Sequence, residues 1–263
     1  MIEAENTYEH IRFEQDGAFA YVTMNRPKKR NALSLEHMRE LISLLKGIEE
    51  DREASVVILR GEGPAFCAGH DLSEMVGRDT EFYRRLFDVC CELMETIQKI
   101  PQPVIAQVHG VATAAGCQLA ATCDLVVASE EARFATPGVR IGLFCSTPMV
   151  ALSRAVGQKK SMEMLLTGEF ISAEEALAQG LVNRVVSAED LETETRSLAE
   201  KIAEASSLVV GIGKQAFYRQ LGLPTEQAYA YTKEVMSFNA SFADAQEGMC
   251  AFLEKRKPEW KGR

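Results

Sequence analysis

Two short segments rich in small residues decide the fold of this chain. Residues 63–72 (GPAFCAGHDL) follow a predicted buried strand, and residues 108–120 (VHGVATAAGCQLA) follow another and lead into a predicted helix. Small side chains allow backbone N–H groups to approach a ligand closely, and the N-terminus of a helix adds positive potential there. The two segments therefore predict a ligand site made of backbone amides. For residues 112–116 alone, a tightly packed seam between helix and strand is the alternative.

Strands surround these two segments. Continuous apolar runs predict buried strands over residues 56–59, 104–108 and 125–128. Two alternating runs, over residues 10–15 and 19–24, flank an Asp-Gly pair and predict two strands joined by a turn.

The segments between the predicted strands have the periodicity of helices. Ser34 is a suitable cap for a helix that runs to about residue 50, and a second helix is predicted over residues 81–100. Strands that alternate with helices indicate an α/β core with right-handed crossovers. From about residue 151 onward the pattern is mainly helical. We therefore predict an α/β core over residues 1–190 and a helical subdomain over residues 191–263.

Composition excludes several classes of protein. The chain has 263 residues, 46% of them hydrophobic, which is enough for a sizeable core, and its formal charge of −9 argues against nucleic acid or a membrane as partner. No apolar run is long enough to span a bilayer. The seven cysteines form no C-x-x-C pair and the four histidines are dispersed, so neither disulfides nor a metal site is predicted. Reduced cysteines, and an acidic start unlike a transit peptide, predict a cytosolic (cytoplasmic) protein.

Five segments together resemble the crotonase superfamily of enoyl-CoA hydratases and isomerases. Besides the two segments above, they are residues 25–33 (NRPKKRNAL), residues 134–137 (FATP) and the tail over residues 246–257. The resemblance spans nearly the whole chain, and within the superfamily the AGHDL motif is similar to the enoyl-CoA hydratase domain-containing branch. It implies a ClpP-like spiral of β-β-α units with a C-terminal helical subdomain, through which subunits form homotrimers or homohexamers.

The resemblance also implies a site for a CoA thioester, as substrate or ligand, with no permanently bound cofactor and no metal. It assigns the two amide donors of an oxyanion hole to His70 and Ala115, with Gly116 beside the second. Each such donor typically stabilises an enolate by roughly 3–4 kcal/mol. The loop that binds substrate then includes Ala68, Asp71 and Leu72.

The charged residues near these donors each have two interpretations. A local cationic cluster is placed by the resemblance near the CoA nucleotide, although a solvated turn has the same composition; its members are Lys28, Lys29 and Arg30. Asp71 is predicted to cap the helix that follows it rather than to act in catalysis. The side chain of His70, if exposed, would act as an acid or a base near neutral pH. The methylmalonyl-CoA decarboxylases of the superfamily carry the same AGHD motif.

The chain departs from the hydratases at both of their catalytic glutamates. The positions that the resemblance assigns to them hold Gln118 and Gly138. An amide orients water but cannot take its proton near pH 7, so efficient hydration of a simple enoyl-CoA is not expected. A glycine at the second position also occurs in naphthoyl-CoA synthases, which use bicarbonate in its place, but their flanking pattern is missing here.

Three functions are compatible with these residues. The first is an acyl-CoA-binding protein of the lyase or isomerase class in fatty acid metabolism, which stabilises a thioester enolate. The second is a non-catalytic acyl-CoA binder or regulatory protein. The third is an acyl-CoA decarboxylase or hydrolase assisted by Cys145 or by the His70 side chain. Cys145 lies in a stretch where other members carry a catalytic aspartate, and its thiol is either a nucleophile or weak acid or a small buried hydrophobic group.

Overall fold

Six strands form the main sheet of the computed structural model, which describes residues 8–262. In spatial order they are β1 (Ile11–Asp16), β2 (Phe19–Met24), β3 (Val56–Gly61), β4 (Val104–Val108), β6 (Leu125–Ser129) and β9 (Arg184–Val186). β1 and β2 are antiparallel, and the strands from β2 to β9 are parallel to each other. Residues 1–7, part of the acidic start that is unlike a transit peptide, lie outside the described residues.

A smaller sheet contains three short strands, namely β5 (Val111–Thr113), β7 (Arg133–Ala135) and β8 (Ile171–Ser172). β5 follows β4 directly and β7 follows β6, so the chain passes from one sheet to the other before it continues into a helix. Single-residue bridges extend this pattern, since Cys67 pairs with Ala112 and Leu33 pairs with His70. This repeated passage forms the predicted spiral of β-β-α units.

Eleven α-helices among the described residues complete the fold. They are α1 (Leu35–Asp51), α2 (Leu72–Met75), α3 (Thr80–Lys99), α4 (Ala115–Thr122), α5 (Pro148–Ala155), α6 (Gln158–Thr167), α7 (Ala173–Ala178), α8 (Leu191–Ala203), α9 (Ser207–Gln220), α10 (Thr225–Ala240) and α11 (Ala243–Glu254). Ser34 caps α1 as predicted, because its hydroxyl accepts a hydrogen bond from the His37 N–H at 3.2 Å. The apolar face of α3 is buried at helical spacing through Leu86, Cys90, Leu93 and Ile97.

The main sheet is covered on both faces. One face packs against α1 and α3 in the larger core, which includes the fully buried Leu41 and Leu93. The other face is covered by α8, whose Leu191 and Ala199 join a second apolar cluster. Their partners on the sheet are Phe19, Tyr21, Val56, Ile58, Ile105 and Val127. α8 therefore packs on the α/β core, although it begins just beyond residue 190, where the domain boundary is predicted.

A nearly buried charged network joins the C-terminal helices to the sheet. Lys214 of α9 donates to Asp124 Oδ2 at 2.8 Å and to the backbone carbonyls of Ile97 and Gln102. The Tyr218 hydroxyl, one turn later, donates to Asp124 Oδ1 at 2.8 Å. Burial lowers the pKa of Lys214, with Asp124 opposing the change.

The last two helices leave large apolar side chains at the surface. Phe238, Met249, Phe252 and Leu253 are exposed, and Phe242 is half-buried. Such a surface fits the predicted contact between subunits, which stays a prediction. None of the helices described here is long and apolar enough to cross a membrane.

Candidate active site

A cavity of about 480 Å³ lies where the two small-residue segments meet the stretch from residue 137 to residue 148. Its lining is mainly apolar, and none of the described residues that form it carries a carboxylate. The two segments contribute Ala68, His70, Leu72, Ala114 and Ala115, and α3 contributes Phe87. The site is therefore an apolar chamber with a few polar groups, which is the usual character of a small-molecule pocket.

The backbone around His70 is fixed on both sides of a free amide. The Leu33 N–H donates to the Gly69 carbonyl at 2.7 Å, and the Asp71 N–H donates to the Leu33 carbonyl at 3.0 Å. The His70 N–H between them has no acceptor among the described residues. A buried N–H without a partner is rare in proteins, so this amide is available to a ligand.

The second free amide begins α4. The Ala115 N–H belongs to the first turn of the helix, where backbone donors have no partner within the helix, and no other described group accepts from it. The preceding residue, Ala114, has φ +50° and ψ −117°, a conformation that L-residues rarely adopt. Strain of this kind costs on the order of 1–3 kcal/mol and is concentrated at functional sites.

Two glycines allow the amide-bearing segments to touch. A Cβ added at Gly69 would lie 3.0 Å from the Ala114 Cβ and 3.5 Å from the Ala115 nitrogen. A Cβ added at Gly116 would lie only 2.1 Å from the Cys67 carbonyl oxygen. The segment is thus a packing seam that also carries a free amide, and a role of that amide in ligand binding stays a prediction.

The side chain of His70 is covered rather than exposed, so the condition for an exposed acid or base is not met. Its ring packs edge-on against Phe87 of α3, with 5.6 Å between the ring centroids, and both ring nitrogens are buried without a hydrogen-bond partner within the described chain. Burial lowers the pKa of His70 to about 4, with a smaller opposing contribution from the backbone of Leu33. The ring lines the cavity as a neutral imidazole at pH 7.

Asp71 caps α2, as predicted. Its carboxylate accepts from the Ser73 N–H at 3.2 Å and from the Arg26 guanidinium at 2.9 Å. Burial alone would raise the pKa of Asp71, but the hydrogen bonds from Ser73 and Arg26 outweigh it and hold the pKa below its usual value. Asp71 does not line the cavity, so it supports the loop rather than touching a ligand there.

The predicted cationic cluster divides into free and engaged members. Lys28 and Arg30 are exposed and form no ion pair with any described residue. Lys29 instead donates to the Ser73 hydroxyl at 3.2 Å and lies 3.8 Å from the Asp71 carboxylate. The Arg30 carbonyl accepts from the Ala68 N–H at 3.0 Å, which places this turn directly beside the first amide-bearing segment.

Gln118 is turned away from the cavity. Its side chain is buried, and its Oε1 accepts a weak hydrogen bond from the Cys90 thiol of α3, with 3.9 Å between oxygen and sulfur. It is not among the cavity-lining residues, because the α4 backbone directs it toward α3. The expected amide at the position of the first glutamate therefore does not face the chamber.

The place of a side chain at residue 138 is already filled. A Cβ added at Gly138 would lie 2.5 Å from the Leu143 carbonyl oxygen and 2.8 Å from the Cys145 Sγ. Burial raises the pKa of the Cys145 thiol, and contact with the Gly138 backbone opposes this in smaller part. Cys145 is therefore a protonated thiol at neutral pH, which disfavours a thiolate nucleophile.

A family model for enoyl-CoA hydratase/isomerase matches residues 14–263 of the chain. The chain belongs to this family. The match confirms the predicted crotonase superfamily, whose members bind acyl-CoA and are typically oligomeric.

Solved structures and curated relatives agree with this assignment. Human enoyl-CoA hydratase domain-containing protein 3, mitochondrial, is 49% identical over 242 residues, which are 91% of this chain and 79% of that protein. The crystal structure of the human protein matches with a TM-score of 0.93 and 46% identity, over 95% of this chain and 100% of that chain. A crystal structure of enoyl-CoA hydratase from Mycobacterium smegmatis matches with a TM-score of 0.94 and 48% identity, over 95% and 98%. The predicted crotonase fold and the similarity to the domain-containing branch are confirmed.

The cytosolic location predicted from the cysteines is wrong by comparison with the same relatives. The human protein and its counterparts in Xenopus laevis, Danio rerio, Rattus norvegicus and Mus musculus are all mitochondrial by name. Unpaired cysteines exclude only an oxidising compartment, so they do not separate the cytosol from a mitochondrion.

The structure thus places some of the predicted site residues at the cavity and leaves others outside it. Ala68, His70, Leu72, Ala115, Gly138 and Cys145 all line the cavity. Gln118, Asp71 and the cationic turn lie around it. The sequence does not identify Phe87 as part of the site. The periodicity of α3 predicts only partial burial for it and does not indicate that its ring covers His70.

Proposed function

We propose that this protein binds an acyl-CoA thioester with the carbonyl oxygen between the His70 and Ala115 amides, where an enolate would be stabilised. The observation that carries the proposal is the pair of unbonded N–H groups on two segments in contact, beside an apolar cavity. Donors fixed in advance by the fold need no reorganisation when negative charge develops on oxygen, and each contributes roughly 3–4 kcal/mol.

Hydration by the two-glutamate route is not part of this function. Gln118 bonds to Cys90 away from the cavity, and Gly138 has no room for a side chain. No other carboxylate among the described residues lines the cavity to take a proton from water.

The surroundings of the amides suit the two ends of an acyl-CoA. Lys28 and Arg30 lie beside the Ala68 segment, pair with no other described residue, and supply positive charge for the nucleotide phosphates. The exposed apolar side chains of Ile141, Leu143 and Phe144 extend the cavity wall and would cover an acyl chain. The CoA thioester is substrate or ligand, and no resident cofactor is invoked.

The proposal also covers the oligomeric state and the cellular location of the protein. The exposed apolar residues of α10 and α11 would be buried between subunits of a trimer or hexamer. The mitochondrial relatives suggest the same compartment for this chain.

Decarboxylation of a malonyl-type thioester is a second candidate, favoured by the neutral groups at the cavity. Loss of carbon dioxide produces an enolate without any base, so two amides suffice for that step. The enolate carbon then needs one proton, and the neutral His70 ring and the protonated Cys145 thiol both line the same cavity. A protein that binds acyl-CoA without turnover is the remaining candidate. Among the described residues that line the chamber the only charged one is Arg140, and a guanidinium neither gives nor takes a proton near pH 7.

Titration calorimetry with matched ligands tests the proposal. Butyryl-CoA carries the thioester carbonyl, and S-butyl-CoA is the thioether that lacks it. We expect the thioester to bind at least about ten-fold tighter, which corresponds to about 1.4 kcal/mol. Equal affinities would contradict a carbonyl held between two amides.

Turnover assays separate the reaction types. Mass spectrometry of a panel of acyl-CoA substrates should show no hydration of crotonyl-CoA above background, and rapid hydration would overturn the assignment of Gln118 and Gly138. Loss of 44 mass units from malonyl-type thioesters would select decarboxylation, with His70→Gln and Cys145→Ala identifying the proton donor. Binding without turnover across the panel would select the non-catalytic binder.

A further inference from the structure

We propose that Arg26 is a positioning residue that holds the His70 amide in place and links it to the cationic turn over residues 27–30. The inference rests on the proposed function, since it names how one of the two amides is kept in its binding geometry. Arg26 itself does not line the cavity.

The Arg26 guanidinium is fixed at two points. One nitrogen donates to Asp71 Oδ2 at 2.9 Å, and the other donates to the backbone carbonyl of Ala32. The side chains of Arg26 and Asp71 are only 15% and 6% exposed, so the pair is largely shielded from water. Charge-assisted bonds from the planar fork of an arginine fix direction as well as distance, which a lysine cannot reproduce.

Both anchor points adjoin the backbone that holds the His70 amide. Asp71 directly follows His70, and its other oxygen is held by the Ser73 hydroxyl at 2.5 Å. Ala32 directly precedes Leu33, the residue whose N–H and carbonyl bond to the backbone on either side of His70. Arg26 therefore fixes both strands of the bridge that presents the free amide.

The backbone of Arg26 belongs to the cationic turn. Its N–H donates to Asn31 Oδ1 at 2.9 Å, and its carbonyl accepts from the N–H groups of Lys29 and Asn31 at 3.0 Å. The exposed Lys28 and Arg30 lie inside this closed turn. One residue thus joins the surface proposed for the CoA phosphates to the amide proposed for the thioester oxygen.

A chromophoric ligand tests this role without requiring turnover. The probe is 4-(dimethylamino)cinnamoyl-CoA, whose absorption moves to longer wavelength when its thioester carbonyl accepts hydrogen bonds. With the full-length wild-type protein we expect binding and a red shift. In Arg26→Gln we expect the probe to bind with an affinity reduced by less than about ten-fold, while most of the red shift is lost. Arg26→Lys should retain an intermediate shift because the charge remains and the fork does not.

Controls separate positioning from general stability. Arg12→Gln removes an exposed arginine that pairs with Glu62 on the sheet, and it should keep the full shift. A full red shift in folded Arg26→Gln would overturn the inference. Absence of a shift in the wild-type protein would instead overturn the proposed function. Where Arg26→Gln does not fold, the double variant with Asp71→Asn removes both charges of the pair, and a full shift in it would equally count against Arg26.

Discussion

The cavity has two walls of contrasting construction. The amide wall consists of residues 68–70 and 113–116, which are mostly buried and tied into backbone bridges and the start of α4. The second wall, residues 138–145, is a 3-10 turn and an irregular stretch in which Ile141 is 58% exposed. In the amide wall two free N–H groups lie where the resemblance implies an oxyanion hole, and in the second wall a thiol and a backbone carbonyl occupy the space of a side chain at residue 138.

If the proposed function holds, this contrast is a way for one fold to keep a binding site while the reaction changes. Backbone amides depend on the path of the chain, so they persist as long as the packing around them persists. Acid and base side chains depend on single residues, here Gln118 within α4 and Gly138 in the second wall. The following predictions test whether the amide wall is the rigid part of the site.

Gly116→Ala should have the largest effect on stability. The added Cβ would meet the oxygen, carbon and Cβ of Cys67 at 2.1, 2.7 and 2.8 Å, all within a fully buried bridge. We expect the free energy of unfolding to fall by about 3 kcal/mol or more, measured by urea denaturation. The matched control is Gly213→Ala in α9, where no atom lies within 4 Å of the added Cβ and a gain of about 0.5–1 kcal/mol is expected. Equal effects of the two substitutions would show that the amide wall is not rigid.

Acid should destabilise the protein through two buried histidines. Burial lowers the pKa of His70 to about 4 and that of His37 to about 3, whereas both have a pKa near 6.5 in the unfolded chain. Between about pH 6.5 and pH 4 the unfolded state therefore binds more protons, and the free energy of unfolding falls by about 1.4 kcal/mol per pH unit for each histidine.

Denaturation curves recorded across this pH range measure the slope. His70→Gln should remove about half of it, because only His37 then remains as a buried neutral histidine. An unchanged slope in His70→Gln would mean that the ring of the amide wall is not shielded from solvent.

Gly138→Ala should cost less than Gly116→Ala, because the second wall lies at the surface. The added Cβ would meet the Leu143 carbonyl and the Cys145 thiol, and the exposed stretch around Leu143 is free to shift. We expect a loss of about 1–2 kcal/mol in thermal or chemical unfolding, with part of it recovered in the double variant with Cys145→Ala. A loss as large as that of Gly116→Ala would remove the distinction between the walls.

Ala114→Gly should give the smallest change and the opposite sign. Glycine adopts the φ of +50° without strain, so stability should rise by about 1 kcal/mol or less. Ala121→Gly, inside the α4 helix that Ala114 precedes, is the control and should lower stability by about 1 kcal/mol. Should both substitutions destabilise equally, the backbone at Ala114 stores no strain.

Long periodic elements could be predicted from the sequence, whereas short ones could not. β4 has the predicted bounds, and α3 begins one residue before and ends one residue before the prediction, because their apolar patterns extend over enough residues to define a period. The strands of the smaller sheet have two or three residues each, which is too short for any periodicity. Their existence depends on pairing between distant segments.

The same distinction applies to the candidate site. The free amides of His70 and Ala115 follow from small residues at a loop and at the start of a helix, both of which are local in sequence. The direction of Gln118 and the cover over the His70 ring are set by α3, which is distant in sequence from α4. The Cys145 thiol fills the space at Gly138 because the chain reverses within the second wall. No pattern in the sequence predicts that reversal.

The network of Lys214, Asp124 and Tyr218 has a consequence for how the molecule opens. If α9 detached by itself, Asp124 would remain as a carboxylate beside β6 without its cation, and the Lys214 bonds to Ile97 and Gln102 would break in the same event. An uncompensated, nearly buried charge is costly, so partial opening along this boundary is unfavourable. α9 therefore unfolds cooperatively with the segments that end α3 and begin β4 and β6, and a chain shortened before α9 would lose stability in those segments as well.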